Sequence, residues 1–148
     1  MRIGVDLGSV RIGVAACDPT GLIAVPLETV ARDGRDLDRI AVIATEREAI
    51  EVVLGLPRTL SGVEGSSART VRDYSVTLAR RVAPRVVRLV DERLTTVSAA
   101  QDLRNAGVPG RRARSVVDQL AAAAILQAAL DAERSTGTPP GETVLLEP

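Results

Sequence analysis

Two short, mainly apolar runs rich in β-branched residues, Ile50–Leu54 and Val86–Val90, each interrupted by a single charged residue (Glu51 and Arg88), bracket a stretch with helical periodicity. A strand with no polar alternation has to be covered on both faces, the condition of a strand inside a helix-flanked sheet. Between the two runs, Val71, Tyr74, Ser75, Leu78, Ala79 and Val82 recur at steps of three and four. Ser66 or Ser67 caps this amphipathic helix, which carries the chain from one strand to the next. The later strands are therefore reached through helical crossovers.

The N-terminal part adds a meander. Ile3–Val5 and Ile12–Ala16 flank a turn carrying Gly8 and Ser9, and Leu22–Ala31 reads as a third strand. Asp36–Glu48 has Leu37, Ile40, Ala41 and Ile43 at helical spacing. Past Val90, Thr95 or Thr96 opens a short helix ending near Gly107, and Gly107–Arg114 reads as a basic loop. Val116–Leu130 is almost continuously apolar and reads as a largely buried helix, and the Thr-Gly-Thr-Pro-Pro-Gly composition from Ser135 onward predicts a flexible tail. The order βββαβαβαα predicts an α/β fold with a mixed five-stranded sheet flanked by helices: one domain over 1–135, then a tail over 136–148.

Absences narrow the chemistry. The chain has no His, Lys, Trp or Phe. Ser-His-Asp catalysis, His-ligated zinc, Schiff-base lysines and Walker-type phosphate lysines are thereby excluded. Carboxylates, arginines, hydroxyls and one thiol remain. Cys17, the lone cysteine, lies among apolar residues and is expected to be a buried, inert thiol. No apolar run approaches the ~20 residues of a membrane span, and the strand-like N-terminus does not resemble a signal peptide, so a cytoplasmic location is expected. Acids and arginines balance at 19 each, but 12 arginines stand against 5 acids between Arg58 and Arg114. That asymmetry suggests a basic face for a polyanion.

Three carboxylate positions stand out. Asp6 ends the first strand beside a tight glycine turn, Asp91-Glu92 ends the last apolar strand, and Asp118 lies inside the apolar helix. Each has a structural reading: Asp6 as a turn cap, the pair as solvated, and Asp118 as the acid of a Ser115-Val-Val-Asp118 capping box. Side chains alternate along a strand, so only one of Asp91 and Glu92 can readily join Asp6, and periodicity does not say which. Converged, such acids suit Mg²⁺ or Mn²⁺, and two such ions can activate water and stabilise a leaving oxygen in phosphodiester cleavage.

Four blocks carry a specific resemblance: Gly4-Val-Asp-Leu-Gly-Ser-Val-Arg-Ile-Gly-Val-Ala15; Val53-Leu-Gly-Leu-Pro57 with Ser61-Gly-Val-Glu-Gly65; Val90-Asp-Glu-Arg-Leu-Thr-Thr96; and Val117-Asp-Gln-Leu-Ala-Ala-Ala-Ala-Ile-Leu-Gln127. In order, from residue 2 to about 130, they resemble the signature blocks of the YqgF family. These bacterial RNase H-like proteins are described both as Holliday junction resolvases and as pre-16S ribosomal RNA nucleases. The resemblance implies an RNase H-like fold with strand order 3-2-1-4-5. It implies Asp6, Glu92 and Asp118 as catalytic and metal-holding residues, settling the Asp91/Glu92 choice, with Arg11 and Arg93 contacting substrate phosphate.

Arg58 and the basic loop residues Arg111, Arg112 and Arg114 are further candidates for the nucleic-acid backbone, with Arg58, Arg69 and Arg72 together as a second possible face. A single Tyr gives no platform for stacking successive bases, so recognition is expected through arginine–phosphate contacts and backbone shape. Expected partners are pre-16S rRNA, ribosomal precursor particles or branched DNA, with the protein a monomer or a homodimer. Two other readings compete. The Asp-Leu-Gly-Ser block also resembles the first phosphate motif of actin-like ATPases, which need a second domain. A non-catalytic nucleic-acid-binding module would carry the acids for stability alone.

Overall fold

A computed structural model describes residues 1–57, 63–92 and 111–146, with the backbone only for 111–115. Strands β1 (Arg2–Leu7), β2 (Arg11–Cys17) and β3 (Ala24–Ala31) form an antiparallel meander. Helix α1 (Asp36–Glu46) leads to β4 (Glu51–Leu56), α2 (Ser66–Val82) to β5 (Val86–Asp91), and α3 (Arg111–Thr136) to a short β6 (Glu142–Thr143). The sheet order is β3-β2-β1-β4-β5-β6, with β4 parallel to β1 and to β5.

The mixed, helix-flanked sheet has the expected central order, with a sixth strand instead of five. β6 lies in the segment expected to be a tail: Glu142 pairs with Leu89 and Thr143 with Arg88, antiparallel to β5. Two residues between Pro-Gly and an apolar end carry too little pattern to read as a strand. Their pairing comes from the exposed edge of β5, an available row of backbone donors and acceptors. Gly141 permits it: its φ is +76°, and a Cβ there would stand 2.0 Å from the Leu89 carbonyl oxygen.

The helix assigned to Val116–Leu130 is longer than expected at both ends. Its first described turn contains Arg111, Arg112 and Arg114, expected in a loop, and it runs on to Thr136. Arginine is a good helix former, and the Gly-rich composition before Gly110 obscured the start. Asp118 therefore lies beyond the first turn, and the capping-box reading fails. The helix expected from Thr95 or Thr96 lies outside the described residues.

The two faces of the sheet are built from different material. Ile3, Val5, Ile12, Val14, Val52 and Leu54 point to the side covered by α1 and α2, where Ile40, Ile43, Val71 and Leu78 complete the larger core. The opposite side meets α3 through Val53, Cys17, Ile125, Leu126 and Leu130, beside an alanine contact of Ala15 with Ala122 and Ala123. Glycines deepen that second contact. A Cβ on Gly4 would stand 2.7 Å from Leu126 Cβ and 2.8 Å from the Ala122 carbonyl oxygen, and one on Gly13 would stand 1.9 Å from the Asp118 carbonyl oxygen. Helix α3 thus lies with its backbone almost on the sheet, and small residues there leave no room for aromatic rings. Cys17 is a free, buried thiol whose sulfur accepts the Arg2 backbone N–H at 3.2 Å.

Candidate active site

Asp6 belongs to the α3 side of β1. It has the same parity as Gly4 and is paired with Gly13 across the β1–β2 ladder. Directly cross-strand residues share a face, so the Asp6 side chain projects to the side on which Asp118 rides over Gly13. Asp6 is 4% exposed and Asp118 2% exposed, in a sheet-and-helix layer that is otherwise small and apolar.

Glu92 arrives from the other side. It is the residue after β5 and has the parity of Val90, which packs in the α3 layer, whereas Asp91 has the parity of Leu89 in the opposite core. Its side chain crosses onto β4, where a Cβ on Gly55 would stand 2.8 Å from Glu92 Oε1. The β1–β4 register runs Gly4 to Val53 and Val5 to Leu54, so one further step sets Asp6 beside Gly55. Across β2, β1 and β4 the row is therefore Gly13, Asp6, Gly55, with Asp118 above the first glycine and Glu92 above the second. Both flanking positions lack a side chain, and this is what lets two further acids approach the strand that carries Asp6.

Asp6 and Glu92 also line one cleft of about 580 Å³ at the carboxyl ends of the parallel strands, with Ser9, Arg32, Ser67 and Thr70 on its other walls. Asp118 is turned towards Arg11, whose Nε donates to Asp118 Oδ2 at 2.8 Å. Among the described residues, no group of three or more acidic, His or Cys side chains stands close enough to hold a metal ion. The donor set is nevertheless entirely oxygen, and Asp6 and Glu92 open onto the same space. Those properties fit a hard divalent cation.

Arg11, expected on substrate phosphate, is thus an ion-pair partner of Asp118. Arg58 and Arg93 lie outside the described residues, as do the side chains of Arg111, Arg112 and Arg114, whose backbone forms the first turn of α3. On the second candidate face, Arg72 is held by Glu64 at 2.6 Å and Glu142 at 2.7 Å, contacts that push its pKa further above the ordinary arginine value. Arg69 lines a separate, smaller depression at the start of α2.

Arg32 was not among the sequence candidates. It follows β3, and its backbone N–H donates to the Val10 carbonyl at 3.0 Å while Nη1 donates to the Gly8 carbonyl at 3.1 Å. Its guanidinium carbon stands 5.5 Å from the ring centroid of Tyr74. The Tyr74 hydroxyl donates to Asp36 Oδ2 at 2.5 Å, and burial together with this bond pushes the phenol well above its ordinary pKa. The only sequence signal was the position of an arginine at the end of a strand leading back to the first turn.

A mixed sheet with this strand order, an antiparallel meander, flanking helices and acids at the strand ends defines an RNase H-like α/β protein. Among solved structures, "Thermus thermophilus RuvC structure" matches with a TM-score of 0.57 at 17% identity, covering 95% of this chain and 99% of that one. "T. thermophilus RuvC in complex with Holliday junction substrate" matches at 0.53 and 18%, covering 93% and 98%. The chain belongs to the family described as "RuvX: Holliday junction resolvase", whose model matches residues 1–132. Its relatives include proteins named "Putative pre-16S rRNA nuclease" from Nocardioides sp., 56% identical over 97% of this chain and 96% of the relative, and from Streptomyces coelicolor, 54% identical over 97% and 87%. A third of that name, from Frankia casuarinae, is 55% identical over 94% of this chain and 70% of the relative.

Proposed function

We propose that this chain is a divalent-metal-dependent endonuclease that matures the 5′ end of pre-16S rRNA, with Asp6, Glu92 and Asp118 holding one or two Mg²⁺ or Mn²⁺ ions. The observation that carries this is the row Gly13–Asp6–Gly55, which brings an acid from each of three separate chain segments to one sheet end. The bound ions would supply an activated water and charge stabilisation of the leaving oxygen. Asp6 and Glu92 present carboxylate oxygens to the cleft, and Asp118 contributes when its bond to Arg11 opens. To Arg58, Arg93, Arg111, Arg112 and Arg114 we assign contacts to substrate phosphates, and ribosomal precursor particles are the setting in which the substrate is met.

The second reading is cleavage of four-way DNA junctions, supported by the family description and by the RuvC complex among the similar folds. Purified protein given 5′-extended 16S precursor and a synthetic four-way junction side by side, with Mg²⁺ or Mn²⁺ and with chelator, tests both. Metal-dependent trimming of the precursor with the junction left intact is the expected result. Paired symmetric cuts in the junction alone would establish the second reading. Retention of both substrates uncut would establish a binding module. No helix among the described residues is long and apolar enough to cross a membrane, and we place the activity in the cytoplasm.

A further inference from the structure

We propose that Arg32, mounted on Tyr74, holds a backbone phosphate of the nucleic-acid substrate on the wall of the cleft facing Asp6 and Glu92. This subsite deepens the nuclease reading and rests on it. Tyr74 is the chain's only aromatic residue, and its ring lies under this one guanidinium. The stack is anchored from behind by the Tyr74–Asp36 bond, with Asp36 only 6% exposed. From in front, Nη1 is tied to the turn that follows Asp6. A cation held at its face and at one nitrogen keeps its remaining N–H groups fixed in direction, so little side-chain entropy is lost when they bind.

Its lack of an ion pair sets it apart from several other arginines of the fold. Arg2, Arg11, Arg39, Arg72 and Arg88 each pair with a carboxylate. Arg32 has no carboxylate partner among the described residues, although it lines a cleft that also contains two acids. Ser67 and Thr70 line the same cleft. A planar donor fork in a cleft with polar lining matches the oxygens of a phosphodiester, and it is poorly suited to stacking a base because Tyr74 already covers a face. The phosphate bound here flanks the one presented to Asp6 and Glu92, so the subsite sets which bond enters the acid site.

The test measures binding of fluorescent 5′-extended 16S precursor across a salt series with chelator present, and kcat and KM with Mn²⁺, for wild type, Arg32→Gln, Arg32→Lys and Tyr74→Leu. Glutamine keeps an N–H donor but is shorter and carries no charge. Arg32→Gln is expected to weaken binding roughly 10-fold and raise KM similarly, with kcat within a few-fold of wild type. The slope of log affinity against log salt should flatten by about 0.7–0.9, one phosphate contact. Arg32→Lys should restore the slope but only part of the affinity, and Tyr74→Leu should weaken binding with the charge still present. A wild-type slope and KM in folded Arg32→Gln would overturn the proposal, leaving Arg32 as a clamp on the turn. Failure of wild type itself to bind or cut the precursor would instead refute the parent reading.

Discussion

The carbonyl oxygen of Asp118 stands 1.9 Å from where a Cβ on Gly13 would be. Helix α3 can therefore carry its carboxylate to the Asp6 strand only because β2 has no side chain there. The neighbour on the far side of Asp6, Gly55, does the same for Glu92. The site is thus defined as much by two absent methyl groups as by three acids.

Gly13→Ala should be among the most damaging small substitutions in this chain. The obstruction is backbone, so α3 must lift along its length, and a loss at or above the 1–3 kcal/mol typical of overpacking is expected in denaturant unfolding. Gly55→Ala meets mainly the movable ends of Ile125 and Glu92, at 2.6 and 2.8 Å, so stability should fall less while cleavage collapses with the displaced carboxylate. Gly65→Ala, with no atom within 4 Å, is the control and should change stability by about 1 kcal/mol or less. Equal effects at Gly13 and Gly65 would remove the close-approach explanation.

Asp6→Asn, Glu92→Gln and Asp118→Asn should each lower cleavage by orders of magnitude while leaving the fold intact, since each removes a proposed metal ligand. Asp91→Asn, whose side chain belongs to the other face of the sheet, should be much milder. Single-turnover rates with circular dichroism as the folding check decide this. A near wild-type rate in any of the three would take that residue out of the site.

Asp18 predicts a pH effect remote from the chemistry. Its carboxylate accepts backbone N–H bonds from Ile23 at 2.7 Å, Leu22 at 2.8 Å and Thr20 at 3.1 Å, closing the β2–β3 loop. The bond from Ile23 foremost, then one from the Thr20 hydroxyl, and the other backbone bonds hold its pKa well below the ordinary 3.8. A depressed carboxylate contributes stability that is present above its unfolded value and lost as pH falls through the folded one. Asp18→Asn should accordingly lower the Tm at neutral pH and flatten the decline below about pH 4, the two curves converging in acid. Parallel curves at all pH values would show that this charge does not close the loop.

The central architecture was legible because it rests on periodicity: apolar runs for β4 and β5, and a three–four stripe for α2. The acids were legible as strand-end and helix residues, and the face shared by Asp6 and Glu92 follows from alternation once the register is known. What periodicity could not carry was contact between segments. The Arg11–Asp118 pair, the seating of Glu92 on Gly55 and the Arg32–Tyr74 stack all join residues far apart in the chain. β6 was hidden for another reason, since an edge strand of two residues is recruited by its neighbour and not specified by its own pattern.

The bond between Arg11 and Asp118 leads to a prediction that needs no substrate. Arg11 supplies positive charge to a carboxylate that is 2% exposed, although the guanidinium itself is 28% exposed and partly screened by solvent. If Asp118 is also a metal ligand, guanidinium and metal compete for it. Arg11→Ala should then destabilise the metal-free protein by about 1–3 kcal/mol, because a buried charge loses a direct partner. Mn²⁺ should recover more of that loss in the variant than it adds to wild type, since a ligand that binds only the folded state stabilises by about 2.7 kcal/mol at a hundred times its Kd. Isothermal titration should show tighter Mn²⁺ binding to Arg11→Ala, and Asp118→Asn should abolish the difference. Equal Mn²⁺ affinity in wild type and Arg11→Ala would mean that Arg11 and the metal do not compete for Asp118, and an unchanged affinity in Asp118→Asn as well would leave Asp118 a structural partner of Arg11 alone.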